Sequence, residues 1–329
     1  MKTVIFGGAG FAGLNLTEAL LKRGRDVVVF DRAEVPAAAV AAFKLHPGKL
    51  EAVRGDVTDA VAIERTIKPG TDGVIFGTAV TANAARDAAE PELVLNTNLM
   101  SLIPILRQAK TAGVRRVVNL SSVAAYGAAG DRFPLLEETT VADPQTLYAI
   151  SKFATERVGE RLGSLWDLDV ISVRLCSVFG PWEYATGLRD TLSPHLQVML
   201  AAERGMTALL PRPINRDWTY APDMAEGVIT VLDAKSPKHR VYNVAPGQTW
   251  SILDWGNELA ELRPGFVCRL ATSDETPNVD PHAPSDRAPL SAARIADDLG
   301  WSAGTSLAQS VSRYDAWWKS HWKSLEARS

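Results

Sequence analysis

The strongest constraint on the fold of this chain is its first turn, Gly7-Gly8-Ala9-Gly10-Phe11-Ala12-Gly13. It follows Lys2-Thr-Val-Ile-Phe6, a β-branched and apolar run that reads as a buried strand. It precedes Ala12–Arg23, where Leu14, Leu16, Ala19, Leu20 and Leu21 recur at helical spacing. The glycines read as Gly7-x-x-Gly10-x-x-Gly13 or as Gly8-x-Gly10-x-x-Gly13. In either register Gly10 lets backbone N–H groups approach a pyrophosphate, and Gly13 lets the helix pack close on the strand. The helix N-terminus adds unpaired donors and the positive end of its dipole.

Asp26-Val-Val-Val-Phe30 is the next strand, and Asp31 closes it about 20 residues past the glycines, where an acidic side chain takes both ribose hydroxyls. A 2′-phosphate would meet that carboxylate, so the expected cofactor is NAD rather than NADP, although the neighbouring Arg32 could hold a phosphate. Further strands are expected at 50–54, 73–76, 116–120 and 170–173, alternating with helices at about 58–67, 91–112 and 143–164. Pro91 suits a helix start, Pro104 should kink or divide its helix, and Asp143-Pro144 reads as a cap followed by a first-turn proline. Gly77-Thr78-Ala79 ends the fourth strand with small residues that leave room for a dinucleotide.

Such alternation predicts an α/β, Rossmann-type doubly wound parallel sheet with a smaller C-terminal substrate-binding lobe. The expected division is 1–180 with 216–246 for the NAD-binding part and 181–215 with 247–329 for the lobe. Arg216–Tyr220 and Arg240–Val244 read as strands returning to the first sheet around a 223–232 helix. At 329 residues, 22% charged and with a net charge of −3, the chain shows no basic excess for nucleic acid. Its N-terminal apolar run is too short and glycine-broken for a signal or a membrane span. Two cysteines, Cys176 and Cys268, fit a reducing compartment, so a cytoplasmic location is expected.

Tyr148-Ala-Ile-Ser-Lys152 is the second decisive stretch, because the phenol and the ammonium lie one helical turn apart on one face. A tyrosine with a pKa of about 10 needs about 4 kcal/mol of differential stabilisation to ionise near neutrality. A desolvated lysine plus an oxidised nicotinamide could supply it; a surface pair could not. Tyr148 would then take the proton of a substrate hydroxyl while hydride leaves the same carbon. Ser122, at the end of the fifth strand, can donate to the oxygen on which charge develops. Metal-ligand spacing and the G-x-S-x-G hydrolase elbow are both missing from the sequence.

With these residues in this order, the chain resembles the extended short-chain dehydrogenase/reductases of the NAD-dependent epimerase/dehydratase family. The likeness runs through Gly7, Gly10, Gly13, Asp31, Asp56-Val57, Asn98, Ser121-Ser122 and Tyr126-Gly127. It continues with Tyr148-x-x-x-Lys152, Val178-Phe179-Gly180-Pro181, Arg216-Asp217-Trp218 and a final Asp298-Leu-Gly-Trp301. The resemblance implies Ser122, Tyr148 and Lys152 as catalytic residues. It implies Asp56 and Val57 at the adenine. Gly77, Thr78, Ala79, Cys176 and Val178 would lie along the cofactor, with Asn98 supporting the site. Ser122, Val123, Tyr148, Ser177, Arg216 and Arg287 would meet the substrate, and a homodimer would form through the 91–112 and 144–164 helices.

Departures from the family pattern bear on the reaction. Val123-Ala124 stand where sugar 4,6-dehydratases carry an acidic pair, so no carboxyl is placed there to eliminate water. Phe76 replaces a common histidine, and Ser177 replaces an asparagine that grips nucleotide sugars, leaving room for a smaller sugar, sugar acid or lactone. Arg189, Arg212, Arg216 and Arg287, with His282, are candidates for a phosphate or carboxylate. Trp317, Trp318 and Trp322 with Arg313, Lys319 and Lys323 read as a helix packing its aromatics on the lobe rather than as a membrane surface. The expected function is NAD-dependent oxidation of a secondary hydroxyl on a sugar, sugar acid or nucleotide sugar, with net dehydrogenation favoured. A nucleotide-sugar 4-epimerase retaining its NAD is the alternative, and a non-catalytic dinucleotide sensor ranks last.

Overall fold

The long apolar runs become strands covered on both faces, as an all-parallel sheet demands. The computed structural model describes residues 1–81, 83–184, 192–283 and 285–326, the side chains of 322–326 excepted. The first half runs β1 (Lys2–Phe6), α1 (Phe11–Lys22), β2 (Asp26–Asp31), α2 (Ala37–Phe43), β3 (Leu50–Arg54), α3 (Ala60–Thr66) and β4 (Thr71–Phe76). Next come α4 (Ala84–Ala89), α5 (Pro91–Leu95), a π-helical turn (Asn96–Met100), α6 (Leu102–Thr111), β5 (Arg116–Ser122), α7 (Leu147–Trp166) and β6 (Val170–Leu175). The C-terminal part holds β7 (Ser177–Phe179), α8 (Pro194–Glu203), β8 (Ala208–Leu210), β9 (Asn215–Arg216), β10 (Trp218–Tyr220) and α9 (Ala221–Asp233). It ends with β11 (Val241–Val244), β12 (Trp250–Ser251), α10 (Ile252–Leu262), β13 (Cys268–Leu270), α11 (Ala293–Leu299) and α12 (Leu307–Glu326).

Seven strands form one sheet in the order β11-β6-β5-β4-β1-β2-β3, every pair parallel. The chain winds outward from β1 to β3, then restarts on the other side of β1 with β4. Crevices for dinucleotides open at the carboxyl ends of strands beside such a reversal. One face of the sheet buries Ile5, Val27, Val29 and Ile75 under α1, α2 and α9; the other buries Val4, Phe6, Val28 and Phe76 under α3, α6 and α7. A third apolar cluster, with Phe179, Leu196, Trp218, Trp255, Tyr314 and Trp318, is assembled from α8, α10, α12 and the short strands.

One local expectation is met and two change. The 91–112 helix is interrupted ahead of Pro104, whose missing N–H and ring disfavour an ordinary preceding turn; Ser101 N–H instead reaches Asn96 O at 3.0 Å. That leaves Pro104 in the first turn of α6, where no donor is required. Asp143 does not cap α7, because its backbone is paired with Tyr126 and Ala128 (3.0 Å each); Thr146 caps instead, accepting from Ala149 N–H at 3.1 Å. The 216–220 strand is broken at Asp217. Its halves pair with β12 and β7, and only β11 joins the main sheet.

Candidate functional site

The glycine turn leaves β1 with Gly7 at φ +78°, a left-handed conformation that an L side chain resists. Space forbids a side chain as well: a Cβ on Gly7 would lie 2.8 Å from Thr78 N, and one on Gly13 would lie 2.6 Å from the Gly8 Cα. The turn and the Gly77-Thr78 loop after β4 therefore touch backbone to backbone at the sheet's reversal. Gly10 precedes α1 and has no side chain with which to cap it. Phe11 and Ala12 open that helix, half-buried. Thr78 Oγ1 is buried without a hydrogen-bond partner.

Asp31 ends β2 beside the turn, its Oδ2 accepting from Ala9 N–H (3.1 Å) and Oδ1 from Ala33 N–H (3.0 Å). Burial raises its carboxyl above the ordinary value against those bonds. Arg32 lies 3.7 Å from the Asp56 carboxylate. Burial works against ionisation of Asp56 too, but the bonds from Thr58 N–H (2.9 Å) and Oγ1 (2.7 Å), with Arg32 beside it, hold that carboxyl below its usual value. Val57 packs into the core beneath. A backbone cradle with no room for Cβ atoms at the start of a helix, a carboxylate and an orphaned hydroxyl together fit a dinucleotide.

Tyr148 and Lys152 project from the first turns of α7, with the lysine Nζ 5.8 Å from the phenol ring centre. Lys152 is 3% exposed and donates to Leu120 O on β5 at 2.8 Å; burial lowers its pKa to about 8, against the pull of Glu156. Ser122 ends β5 half-buried, its Oγ accepting from Ala124 N–H at 3.1 Å, with Val123 next in the short turn that follows. The strand and the helix thus bring all three expected catalytic groups to one end of the sheet. Asn98 stands behind them, wholly buried in the π turn. Its amide holds Val80 N–H (2.7 Å), Val80 O (3.0 Å) and Ser151 Oγ (3.2 Å), and Ser151 donates to Tyr148 O at 2.8 Å. Asn98 is therefore occupied by protein partners and ties the loop after Ala79 to the helix of Tyr148.

The arginine candidates divide. Arg287 donates to Asp217 Oδ1 (2.6 Å), Ala288 O (2.8 Å) and Ser177 Oγ (3.3 Å), while Asp217 is 1% exposed. Arg216 lies over the Trp218 ring and donates to Pro281 O at 3.3 Å. Burial and then the neighbouring Arg287 lower its pKa. Arg212 pairs with Asp286, and the Nε atoms of both Arg212 and Arg216 are buried without partners. His282 contacts Leu192 O, and Arg189 lies outside the described residues. Cys176 meets Thr219 Oγ1 at 2.6 Å, and burial with Asp217 nearby pushes its thiol far above the ordinary range, which disfavours a thiolate there. Val178 pairs with Thr219 in the same ladder. On α12, Trp318 sits in the third core and Trp317 meets Trp182 edge-on at 5.1 Å; the Trp322 and Lys323 side chains lie outside the described ones. None of the described helices is long and apolar enough to cross a membrane.

A polar spine behind the site was missed in the sequence. Glu156, four residues beyond Lys152, is 2% exposed and accepts from Ser121 Oγ and, in bidentate fashion, from Arg174 (2.8 and 2.6 Å). Arg174 lies 4.3 Å from the Tyr126 ring centre. The signal was the i, i+4 spacing from Lys152, which reads equally as an ordinary solvated helix pair.

The sequence pattern of the NAD dependent epimerase/dehydratase family matches residues 3–245. The chain is similar to the UDP-glucose 4-epimerase of Mycolicibacterium smegmatis, 26% identical over 317 residues, spanning 95% of this chain and 97% of that protein. A solved UDP-glucose 4-epimerase from Thermotoga maritima, with UDP-glucose, superposes with a TM-score of 0.80 at 21% identity, covering 97% of this chain and 99% of the other. UDP-glucuronic acid 4-epimerase from Bacillus cereus, in complex with NAD, gives 0.77 at 18%, covering 98% and 100%. At those identities the superpositions establish the fold. The family match over most of the length, on a chain whose glycine cradle fits a dinucleotide, shows that this protein is an enzyme of the NAD dependent epimerase/dehydratase family.

Proposed function

We propose that the enzyme epimerises a secondary hydroxyl of a nucleotide-linked sugar and keeps its NAD through the cycle. The supporting observation is the Arg212–Arg216–Arg287 cluster, where two buried Nε donors lack partners and Arg216 is crowded by like charge. A diphosphate would relieve both features. The relatives named as UDP-sugar 4-epimerases support the same reading.

In this mechanism Tyr148 takes the proton of the substrate hydroxyl, its phenolate favoured by the Lys152 ammonium. Ser122 donates to the oxygen as it becomes a carbonyl. Gly7, Gly10, Gly13 and Asp31 would hold NAD, with Thr78 giving its hydroxyl to the same group, and the cofactor would supply the hydride acceptor and, for epimerisation, the hydride donor. Val123-Ala124 beside Ser122 offer no carboxyl for removing water, which argues against dehydration.

Net dehydrogenation of a smaller sugar acid is the second reading, favoured by Ser177, whose hydroxyl already accepts from Arg287 where a carboxamide would reach a nucleotide sugar. Incubation with UDP-glucose and UDP-glucuronate separates the two. Formation of the C4 epimer without added NAD and without rising NADH absorbance supports the first. NADH accumulation on free sugar acids, with no epimer from nucleotide sugars, overturns it.

A further inference from the structure

Pro181-Trp182-Glu183-Tyr184 follows Gly180 and runs back along α1. Asn15 donates to Pro181 O at 2.8 Å, and Trp182 Nε1 donates to Glu18 at 2.7 Å. The Trp182 ring is wholly buried, edge-on to Phe43 (5.4 Å) and Trp317 (5.1 Å), and its backbone is held at φ +66°. A bulky residue keeps such a conformation only when its surroundings over-determine it. Glu183, 2% exposed, accepts from Ser193 N–H (2.8 Å) and Oγ (2.6 Å) at the start of α8. Tyr184 then donates its hydroxyl to Ala9 O at 2.9 Å.

Ala9 lies inside the glycine turn, and its N–H is already given to Asp31. Its two backbone polar groups are therefore gripped from opposite elements, N–H by β2 and C=O by the segment after β7. A backbone fixed in this way presents the Gly10–Gly13 donors to a pyrophosphate without first having to be ordered.

We propose that Tyr184 is a positioning residue for the dinucleotide: it locks the glycine turn in its binding shape and so slows NAD release. The role is the same whether the sugar product is an epimer or a ketone, so it stands apart from the substrate assignment. Because the segment that carries Tyr184 is also tied to α8, the hold on the cofactor is built jointly by the sheet and the substrate-side helices.

The test measures NADH release from the full-length enzyme by tryptophan-to-NADH energy transfer, chased with excess NAD. Tyr184→Phe is expected to release NADH about five- to tenfold faster, the worth of one hydrogen bond, while the cofactor-free melting temperature falls by no more than the few degrees that the same bond accounts for. A release rate within twofold of the parent overturns the proposal. Hydrogen exchange of the 7–13 peptide in the parent protein without NAD gives a second, variant-free measurement. Protection supports a pre-locked turn, and free exchange overturns it even if the variant fails to fold.

Discussion

Lys152 carries the largest electrostatic cost among the proposed catalytic residues. Burial lowers its pKa to about 8, although Glu156 pulls the other way. Above that pH the ammonium loses its proton and the phenolate of Tyr148 loses its partner, so kcat is expected to fall along an alkaline limb with an apparent pKa near 8. For stability the sign is opposite. Between pH 8 and about 10.4 the unfolded lysine holds more protons than the native one, so stability rises with pH through that window. At pH 7 the full burial cost is present. Lys152→Met should therefore abolish turnover while stabilising the fold by about 1 kcal/mol or more, read as a higher Tm. A lower Tm would mean that the bond to Leu120 O outweighs the cost of burying the charge.

Two elements carry more than their sequence suggests. The π turn at 96–100 places Asn98 inside the packing and ties the 78–80 loop to the helix of Tyr148. Along α7, Lys152, Thr155 and Glu156 point into the sheet. There Asn119 donates to Thr155 Oγ1 (3.1 Å) and Ser172 Oγ (3.0 Å), and Arg174 pairs with Glu156. Breaking a buried pair strands a charge, whereas removing both members does not. Arg174→Met should cost about 3–5 kcal/mol in denaturant unfolding, and Glu156→Gln combined with it should recover much of that loss. Equal loss in the single and double variants would show that packing against Tyr126, not charge, holds this region.

For the whole molecule, the helices expected to pair two copies are α5, the π turn, α6 and α7. Met100 and Ile150 on these elements are 50% and 42% exposed, on helices that lie side by side. A homodimer through this face is the expected state. Met100→Glu with Ile150→Glu should convert it to a monomer by light scattering, with little change in Tm. A parent protein that is already monomeric at micromolar concentration would remove this expectation.

The repeating order of strand and helix, the glycine turn, Asp31 and the Tyr148–Lys152 pair were legible in the sequence because each depends on local spacing. A period of four fixes a helical face, and a missing Cβ fixes a turn. Arg216–Tyr220 was read as one strand because its local pattern is extended; the partners on either side of Asp217 come from far along the chain and split it between two ladders. Glu156 is separated by 18 residues from Arg174, and Tyr184 by 175 from Ala9. The sequence by itself determined the sheet, the cradle and the order of the chemical groups. Tertiary structure alone decided which charges are buried, which arginines are already paired and what grips the glycine turn. Burial and pairing are set by contacts between distant segments, and no local spacing encodes them.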